Sequence, residues 1–259
     1  MKDIIELQLC QFSLVYLLLI IVLVIMKKCK IEQTKLLIIA NIRMAVQLAI
    51  AGLILTYIFD NPHPAFTILY LISMTSFAIH RVLSKNKDLN KKFQLSIAVS
   101  LAISGLSIVF YFVKIVVGES VFNPQYVIPL SGMIIGNAMT GVSLGVKTFK
   151  ESFRGQRSKI ETLINMGVSP DKILLPFVNQ SLETALLPTM NSMLGMGIVA
   201  LPGMMTGQIL SGTKPTTAIL YQIAIMTAIC TVVCLSVFCS LYFGYKTLYN
   251  SDNQIDFFE

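Results

Sequence analysis

The sequence predicts an all-α, polytopic integral membrane protein, and three observations carry this prediction. Hydrophobic residues make up 55% of the 259 residues and charged residues only 13%, whereas a soluble domain has about 25% charged residues. The mean hydropathy is +0.75. The apolar residues also come in runs of about 20, the length of helix that crosses a bilayer. This composition excludes an ordinary cytosolic protein and a disordered chain.

The first apolar run, residues 7–26, carries no charge and is followed by Lys27 and Lys28. Acidic Asp3 and Glu6 precede it and no small-residue cleavage motif follows it, so we expect a retained transmembrane helix rather than a signal peptide. Six further spans are predicted at residues 36–59, 65–83, 93–117, 126–146, 177–210 and 216–245. Seven spans are therefore expected, with six and eight as the alternatives, in one transmembrane domain over residues 1–259.

The sixth predicted span is too long and too interrupted for one regular helix, because Pro188, Pro202 and several glycines fall inside it. We expect helical hydrogen bonding to be interrupted from Pro202 to Gln208, where the helix-break motif is Pro202, Gly203, Met204, Met205 and Gly207. Irregular backbone at membrane depth is tolerated where it is buried in protein or lines a cavity. The motif is therefore predicted to border a pathway or a subunit seam.

The distribution of positive charge predicts the orientation. Sixteen of the twenty Lys and Arg residues fall in connections on one side, three fall on the other, and Arg43 lies within the second span. The positive-inside rule then places the N-terminus outside and the C-terminus in the cytoplasm. The same asymmetry accounts for the net charge of +7, so we expect no nucleic-acid partner, and the chain's environment is the lipid bilayer.

Signatures of enzyme chemistry are not found in the sequence. The five cysteines and two histidines form no metal-ligand pattern, and packing explains Cys230 and Cys234 in the seventh span. The stretch from Gly141 to Thr148 has the wrong spacing for a phosphate-binding loop. We therefore expect no catalytic residues and no cofactor in this chain.

Polar residues inside predicted spans are candidates for a transport pathway, because such groups are costly in lipid and face protein or water. Arg43, with Gln47 one turn further on, is the most prominent; Glu183 is its candidate partner, and snorkelling to the interface is the alternative. The full set of pathway or intramembrane polar candidates is Arg43, Gln47, Asn137, Glu183, Asn191 and Gln208.

Small residues and methionines are enriched in the later spans. Three glycine pairs, at 132/136, 141/145 and 203/207, have the spacing that lets helices approach closely; packing within one subunit is expected for most, and a subunit interface for one. Seven of the thirteen methionines lie in the fifth and sixth predicted spans: Met133, Met139, Met190, Met193, Met196, Met204 and Met205. Thioethers can bind soft metals, although flexible apolar packing is the expected role, so the metal ligands stay unknown.

Residues 147–176 form the only sizeable polar stretch between spans and are predicted to be a cytoplasmic coupling segment. A short helix, Gly167, a turn and then a proline-marked return to the membrane form a compact protrusion, which suits docking onto a soluble motor. The segment resembles the Glu-Ala-Ala loop of ABC-transporter permeases at Glu161, Gly167 and residues 173–176, although its spacing is shorter. The candidate ATPase-coupling residues are Glu161, Leu163, Gly167, Ser169 and Pro170.

Several segments carry a family resemblance, namely residues 188–193, 197–212, 214–215, 221–223 and 132–139, together with Arg43 and Gln47. They resemble the Fet-type iron-export permease family of ABC transporters. That family includes the plant aluminium-sensitivity permeases. The resemblance covers roughly residues 36–245. It implies a multi-pass plasma (inner) membrane permease subunit that works with a separate ABC ATP-binding subunit. It also implies that ATP and Mg are bound by that partner, and it links the chain to metal (iron) export or metal-stress resistance. A homodimer is expected because one chain supplies only about seven spans and ABC transporters use two transmembrane halves.

Two other classes are weighed against this resemblance. An ATP-independent secondary carrier or channel would also use an interrupted helix and an intramembrane arginine. An intramembrane enzyme would need paired catalytic residues, which are not found. The sequence leaves open the substrate, the direction of transport and the identity of the ATPase.

Overall fold

The computed structural model describes residues 9–250, with side chains from Leu14 onward. These residues form nine α-helices and one π-helical segment, and their only β-type pairing is an isolated bridge between Met196 and Ala200. The all-α prediction is therefore confirmed. The chain divides into two compact units at Asn61 and Pro62. The predicted span start at residue 7 and the C-terminal end at Glu259 lie outside the described residues.

The first unit contains α1 (Leu9–Lys28) and α2 (Thr34–Asp60). α1 ends in a left-handed turn, since Lys30 has φ 53° and the Ile31 N–H returns to the Met26 carbonyl at 2.9 Å. This pattern satisfies carbonyls that the end of the helix would otherwise leave free. The short connection leads into α2, whose first residue, Thr34, donates its hydroxyl to the Ile31 carbonyl.

The second unit contains α3 to α9. Their bounds are α3 Pro64–Ser84, α4 Lys91–Tyr111, α5 Pro124–Gly155, α6 Arg157–Asn165, α7 Pro170–Gly195, α8 Gly203–Leu210 and α9 Pro215–Tyr245, and a π-helical segment Phe112–Val117 continues α4. Four of these helices begin with proline. Proline suits that position because its missing N–H has no intrahelical partner there.

Five described helices are long and apolar enough to cross a membrane: Thr34–Asp60, Pro64–Ser84, Lys91–Val117, Pro124–Gly155 and Pro215–Tyr245. They coincide with predicted spans two to five and seven, so a multi-pass membrane protein is confirmed. The count of seven spans and the orientation of the termini stay predictions.

The predicted boundaries between residues 147 and 210 are wrong. α5 continues to Gly155 because no helix breaker follows residue 146, and Lys147 and Glu151 pair along it at 3.7 Å. α7 begins at Pro170, and Pro176 and Pro188 lie inside it. The span predicted over 177–210 is therefore two helices, α7 and α8, joined by residues 196–202.

The core of the second unit is built where α5 packs against α9. A Cβ added at Gly141 would lie 2.7 Å from Val233 Cγ1, and one at Gly145 would lie 2.7 Å from Val237 Cγ1. The two backbones thus approach as closely as glycine allows. The prediction of packing within one subunit is confirmed for the 141/145 pair.

Candidate functional site

The turn between α6 and α7 has the geometry expected of a compact protrusion. Gly167 has φ 80°, its N–H bonds the Ile164 carbonyl at 2.8 Å, and the Val168 N–H bonds the Leu163 carbonyl at 3.1 Å. These two bonds form a Schellman motif, which places a left-handed residue just after the helix. A side chain at position 167 would be strained, so the proposed need for glycine has a backbone cause.

The other coupling candidates surround this turn. Glu161 accepts a hydrogen bond from Arg157 Nε at 2.8 Å, one turn back on α6. Leu163 is partly buried against the core. Ser169 occupies the N-cap position of α7 without a side-chain capping bond, and Pro170 is the buried first residue of α7. All five candidates therefore lie on α6, on the turn or at the start of α7.

The most exposed feature of this turn was missed by the sequence analysis. Met166, the residue after α6, has 74% of its surface exposed. Its side chain is therefore available for contact at the turn. Its position directly before Gly167 is the sequence feature that could have identified it.

Two polar contacts fasten the same end of the second unit. Tyr249, just beyond α9, donates its hydroxyl to Asp171 Oδ1 at 2.9 Å. Burial, together with this bond, raises the pKa of Tyr249 to about 12. Between α3 and α4, Asp88 accepts from Lys150 Nζ at 2.7 Å and from Arg154 at 3.0 Å. The start of α7 and the end of α5 are thus each tied to a neighbouring segment.

Three pockets follow one another along α5, α7 and α9. The first, about 530 Å³, lies beside the charged end of α5 and is lined by Thr140, Leu144 and Lys150 among others. The second, about 190 Å³, shares Thr140 and Leu144 with the first. The third, about 520 Å³, shares Met196 and Met226 with the second. Shared lining residues place the three pockets in one row along the second unit.

The polar residues that line the middle pocket are all uncharged. Asn137 lines it, as predicted for a polar residue of the fifth span, and its Nδ2 donates to the Met133 carbonyl at 2.8 Å. Thr189 and Ser192 of α7 line it too and were missed by the sequence analysis. Thr140 was missed as well, although its spacing of three residues from Asn137 puts both on one face of a helix.

The other predicted polar residues lie elsewhere. Glu183 and Asn191 are exposed on α7, and the three pockets described above are not lined by either. Gln208 is partly buried in α8, and its Oε1 has no hydrogen-bond partner within residues 9–250. Arg43 and Gln47 lie on α2 of the first unit. The predicted pairing of Arg43 with Glu183 would be a contact between the two units, and it stays a prediction.

The predicted helix-break motif is corrected by the structure. Gly203–Leu210 is helical, and Pro202 is the residue before its first turn. The break lies upstream, where Met196 is extended at ψ 138° and Gly197 has φ 80°. The motif therefore begins a short helix after the break, and only Pro202 belongs to the break itself.

The residue types that most often bind metals in proteins are not clustered in the described part of the chain. Within the described part of the chain, no three His, Cys, Asp or Glu side chains are grouped to hold a metal ion. Four methionines, however, line the third pocket: Met193, Met196, Met205 and Met226. The coordinating groups that this end of the row offers are thus thioethers rather than carboxylates or imidazoles.

Apolar helices long enough to cross a membrane define a multi-pass membrane protein. The chain belongs to the uncharacterised protein family UPF0014, which it matches over residues 9–249. The resemblance found in the sequence is thereby confirmed.

Named relatives cover most of the chain. It is 33% identical over 214 residues to the UPF0014 membrane protein YjkA of Bacillus subtilis (strain 168), covering 83% of this chain and 84% of the relative. It is 30% identical over 243 residues to the "Probable iron export permease protein FetB" of Escherichia coli (strain K12), covering 94% and 93%. It is 28% identical over 214 residues to the "Protein ALUMINUM SENSITIVE 3" of Arabidopsis thaliana, covering 82% and 77%. No solved structure matches the chain.

Proposed function

We propose that this chain is the permease subunit of an ATP-driven ABC transporter in the plasma (inner) membrane. Two copies would form the transmembrane part, and a separate ATP-binding subunit, carrying ATP and Mg, would drive it. The cargo class is metal, in export or metal-stress resistance, and the printed name of the FetB relative supports this. The observation that carries the proposal is the α6–α7 turn, with Met166 exposed at 74% directly before Gly167, whose positive φ forms the turn.

The route from this turn to the pockets is one unbroken helix. α7 runs from Pro170 to Gly195 over 26 residues, or about 39 Å at the usual helical rise. Its first residue follows the turn, and Thr189, Ser192 and Met193 near its other end line the second and third pockets. A displacement of the turn by a docked ATPase would therefore move the walls of the row of pockets.

The row of pockets is the proposed pathway. Its first pocket opens among charged residues of the end that would face the cytoplasm, and the middle pocket supplies neutral polar groups. The third pocket lies beside the break between α7 and α8, where irregular backbone borders a cavity as expected at membrane depth.

The homodimer is supported by a glycine pair that meets no packing partner among the described residues. A Cβ added at Gly203 or Gly207 would meet no atom of the described chain within 4 Å, unlike one at Gly141 or Gly145. Small residues that leave a helix face open allow a second helix to approach closely. We therefore place the subunit seam on α8.

An ATP-independent carrier or channel is the second candidate, because discontinuous helices also form the sites of secondary transporters. The α7–α8 break at residues 196–202 favours it. The two candidates differ in one respect that can be measured, namely whether an ATPase binds the α6–α7 turn.

The test is a double variant, Gly167→Val with Glu161→Ala, expressed with the ATPase encoded in the same cell. We expect it to insert and dimerise like the native chain but to lose the co-purifying ATPase or to uncouple its hydrolysis from transport. Gly155→Val is the matched control, since Gly155 ends α5 at an ordinary φ with open space around it. Normal transport by the double variant would exclude the coupling role and favour the carrier.

A further inference from the structure

The third pocket is lined by four methionines, some of which lie far apart in the sequence. Met193 belongs to α7, Met196 to the break, Met205 to α8 and Met226 to α9, and all four line the same pocket of about 520 Å³. Methionine often fills irregular space in a core, but that role alone does not require four methionines to line one pocket.

The break between α7 and α8 is what turns these residues toward one pocket. The Val199 and Ala200 N–H groups both bond the Gly195 carbonyl, at 2.9 and 3.2 Å, and the Gly197 N–H bonds the Ala200 carbonyl at 3.0 Å. The chain thereby turns over a few residues, and the following α8 packs against α9. Gly197, itself in the lining, permits this reversal through its positive φ.

α9 supplies the opposite wall from one face. Five of its residues line the pocket: Ile219, Gln222, Ile223, Met226 and Thr227. Their spacing is that of neighbours on a helix surface. Gln222 is 8% exposed, and its Nε2 lies 3.8 Å from Met196 Sδ as a donor. Its Oε1 has no hydrogen-bond partner in the described chain. A buried amide thus holds one thioether sulfur in place.

The chemistry of the lining selects the ligand. The residues lining the third pocket include no acid, histidine, cysteine, lysine or arginine. Hard cations such as Mg²⁺ and Ca²⁺ need oxygen ligands, whereas thioethers prefer soft ions such as Cu(I). A neutral, apolar site also favours a single positive charge, because the cost of desolvating an ion rises steeply with its charge.

We propose that Met193, Met196, Met205 and Met226 form a binding site for a soft monovalent cation, Cu(I) or Ag(I). Gln222 acts as a positioning residue by holding Met196. The site is a property of this pocket, and only its role as the cargo site of export rests on the proposed function. In that role it names a soft monovalent cation as the substrate class.

The experiment is a titration of the purified full-length protein in detergent with Ag(I). All five cysteines are replaced by serine, so that thiolates cannot bind the ion. We expect one saturable site per chain. The double variant Met205→Leu with Met226→Leu should weaken binding by at least about tenfold, the order of effect seen when metal-site partners are lost. Leucine conserves the volume of methionine, so the fold should be kept.

The matched control is Met133→Leu with Met190→Leu, two methionines outside the pocket lining, which should leave Ag(I) binding unchanged. Gln222→Leu should weaken binding by less than the double variant does. No saturable Ag(I) binding, or equal loss in the pocket and control variants, would overturn the site. Fe(II) binding that depends on the same methionines would overturn its preference for soft ions.

Failure of the site and failure of the proposed function are distinguishable. A chain that binds Ag(I) through these methionines but retains no ATPase keeps the site and contradicts the transporter proposal. A chain that retains the ATPase but does not bind Ag(I) contradicts the site alone.

Discussion

The close approach of α5 and α9 makes a quantitative prediction about Gly145. A Cβ at this position would lie 2.7 Å from Val237 Cγ1, whereas one at Gly136 on the same helix meets nothing within 4 Å. Replacing glycine by alanine inside a helix raises the stability by up to about 1 kcal/mol through helix propensity alone, and this effect is the same at both positions. Overpacking lowers the stability by about 1–3 kcal/mol, and it applies only at Gly145.

We therefore expect Gly145→Ala to be less stable than Gly136→Ala by about 1–3 kcal/mol, measured by equilibrium unfolding in mixed detergent. Adding Val237→Ala should relieve the contact, so that a double-mutant cycle gives a coupling energy of about 0.5–3 kcal/mol. Equal stability of the two alanine variants, or additive effects in the cycle, would refute the predicted α5–α9 packing.

Three further predictions concern the ends of the helices. Asp88→Asn should destabilise the protein by about 1–2 kcal/mol, because its partner Lys150 is largely buried. This value lies between the stabilities contributed by exposed and by buried ion pairs. The control Glu151→Gln removes an exposed pair and should cost less than about 0.5 kcal/mol of stability. Tyr249→Phe should cost under about 1 kcal/mol by thermal unfolding. Because the pKa of Tyr249 is raised to about 12, its contribution is complete below the ordinary pKa near 10 and should vanish as the pH rises through 12. In a cysteine-free background, Asn61→Cys should react with an impermeant label from outside, and labelling only after lysis would overturn the predicted orientation.

The sequence predicts helix starts well where one local cause decides them. Pro64, Pro124 and Pro215 each begin a helix within two residues of the predicted boundary, because proline suits the first helical position. Pro170 does the same for α7, but Pro176 was taken for the boundary. A proline inside a helix removes one hydrogen bond without necessarily ending the helix, so the pattern alone could not decide between them.

Glycine misled the prediction of the break for a similar reason. Gly203 and Gly207 were read as interrupting the helix, yet both are helical, since glycine only weakens a helix. Gly197 and Gly167 do mark turns, and what distinguishes them is a positive φ, which depends on the surrounding hydrogen bonds. The Gly167 turn was predicted because polar residues and Pro170 surround it.

The row of pockets could not be predicted from the sequence. It depends on the register of three helices, set by contacts such as Gly141 with Val233 and Gly145 with Val237, whose partners are nearly a hundred residues apart. Asn137 could be identified as a polar residue within a span. Its neighbours across the pocket, Thr189 and Ser192, become visible only when α7 lies beside α5.

The most direct measurement of the central claim is photo-crosslinking from the tip of the α6–α7 turn. A photoreactive amino acid replaces Met166, which is 74% exposed, in cells that also make the ATPase. We expect a cross-link to the ATP-binding subunit whose yield changes when ATP hydrolysis is blocked. The same probe at Lys85, on an exposed site at the end of α3, serves as a comparison. A cross-link from Met166 that never includes an ATPase, in cells where transport is active, would contradict the account.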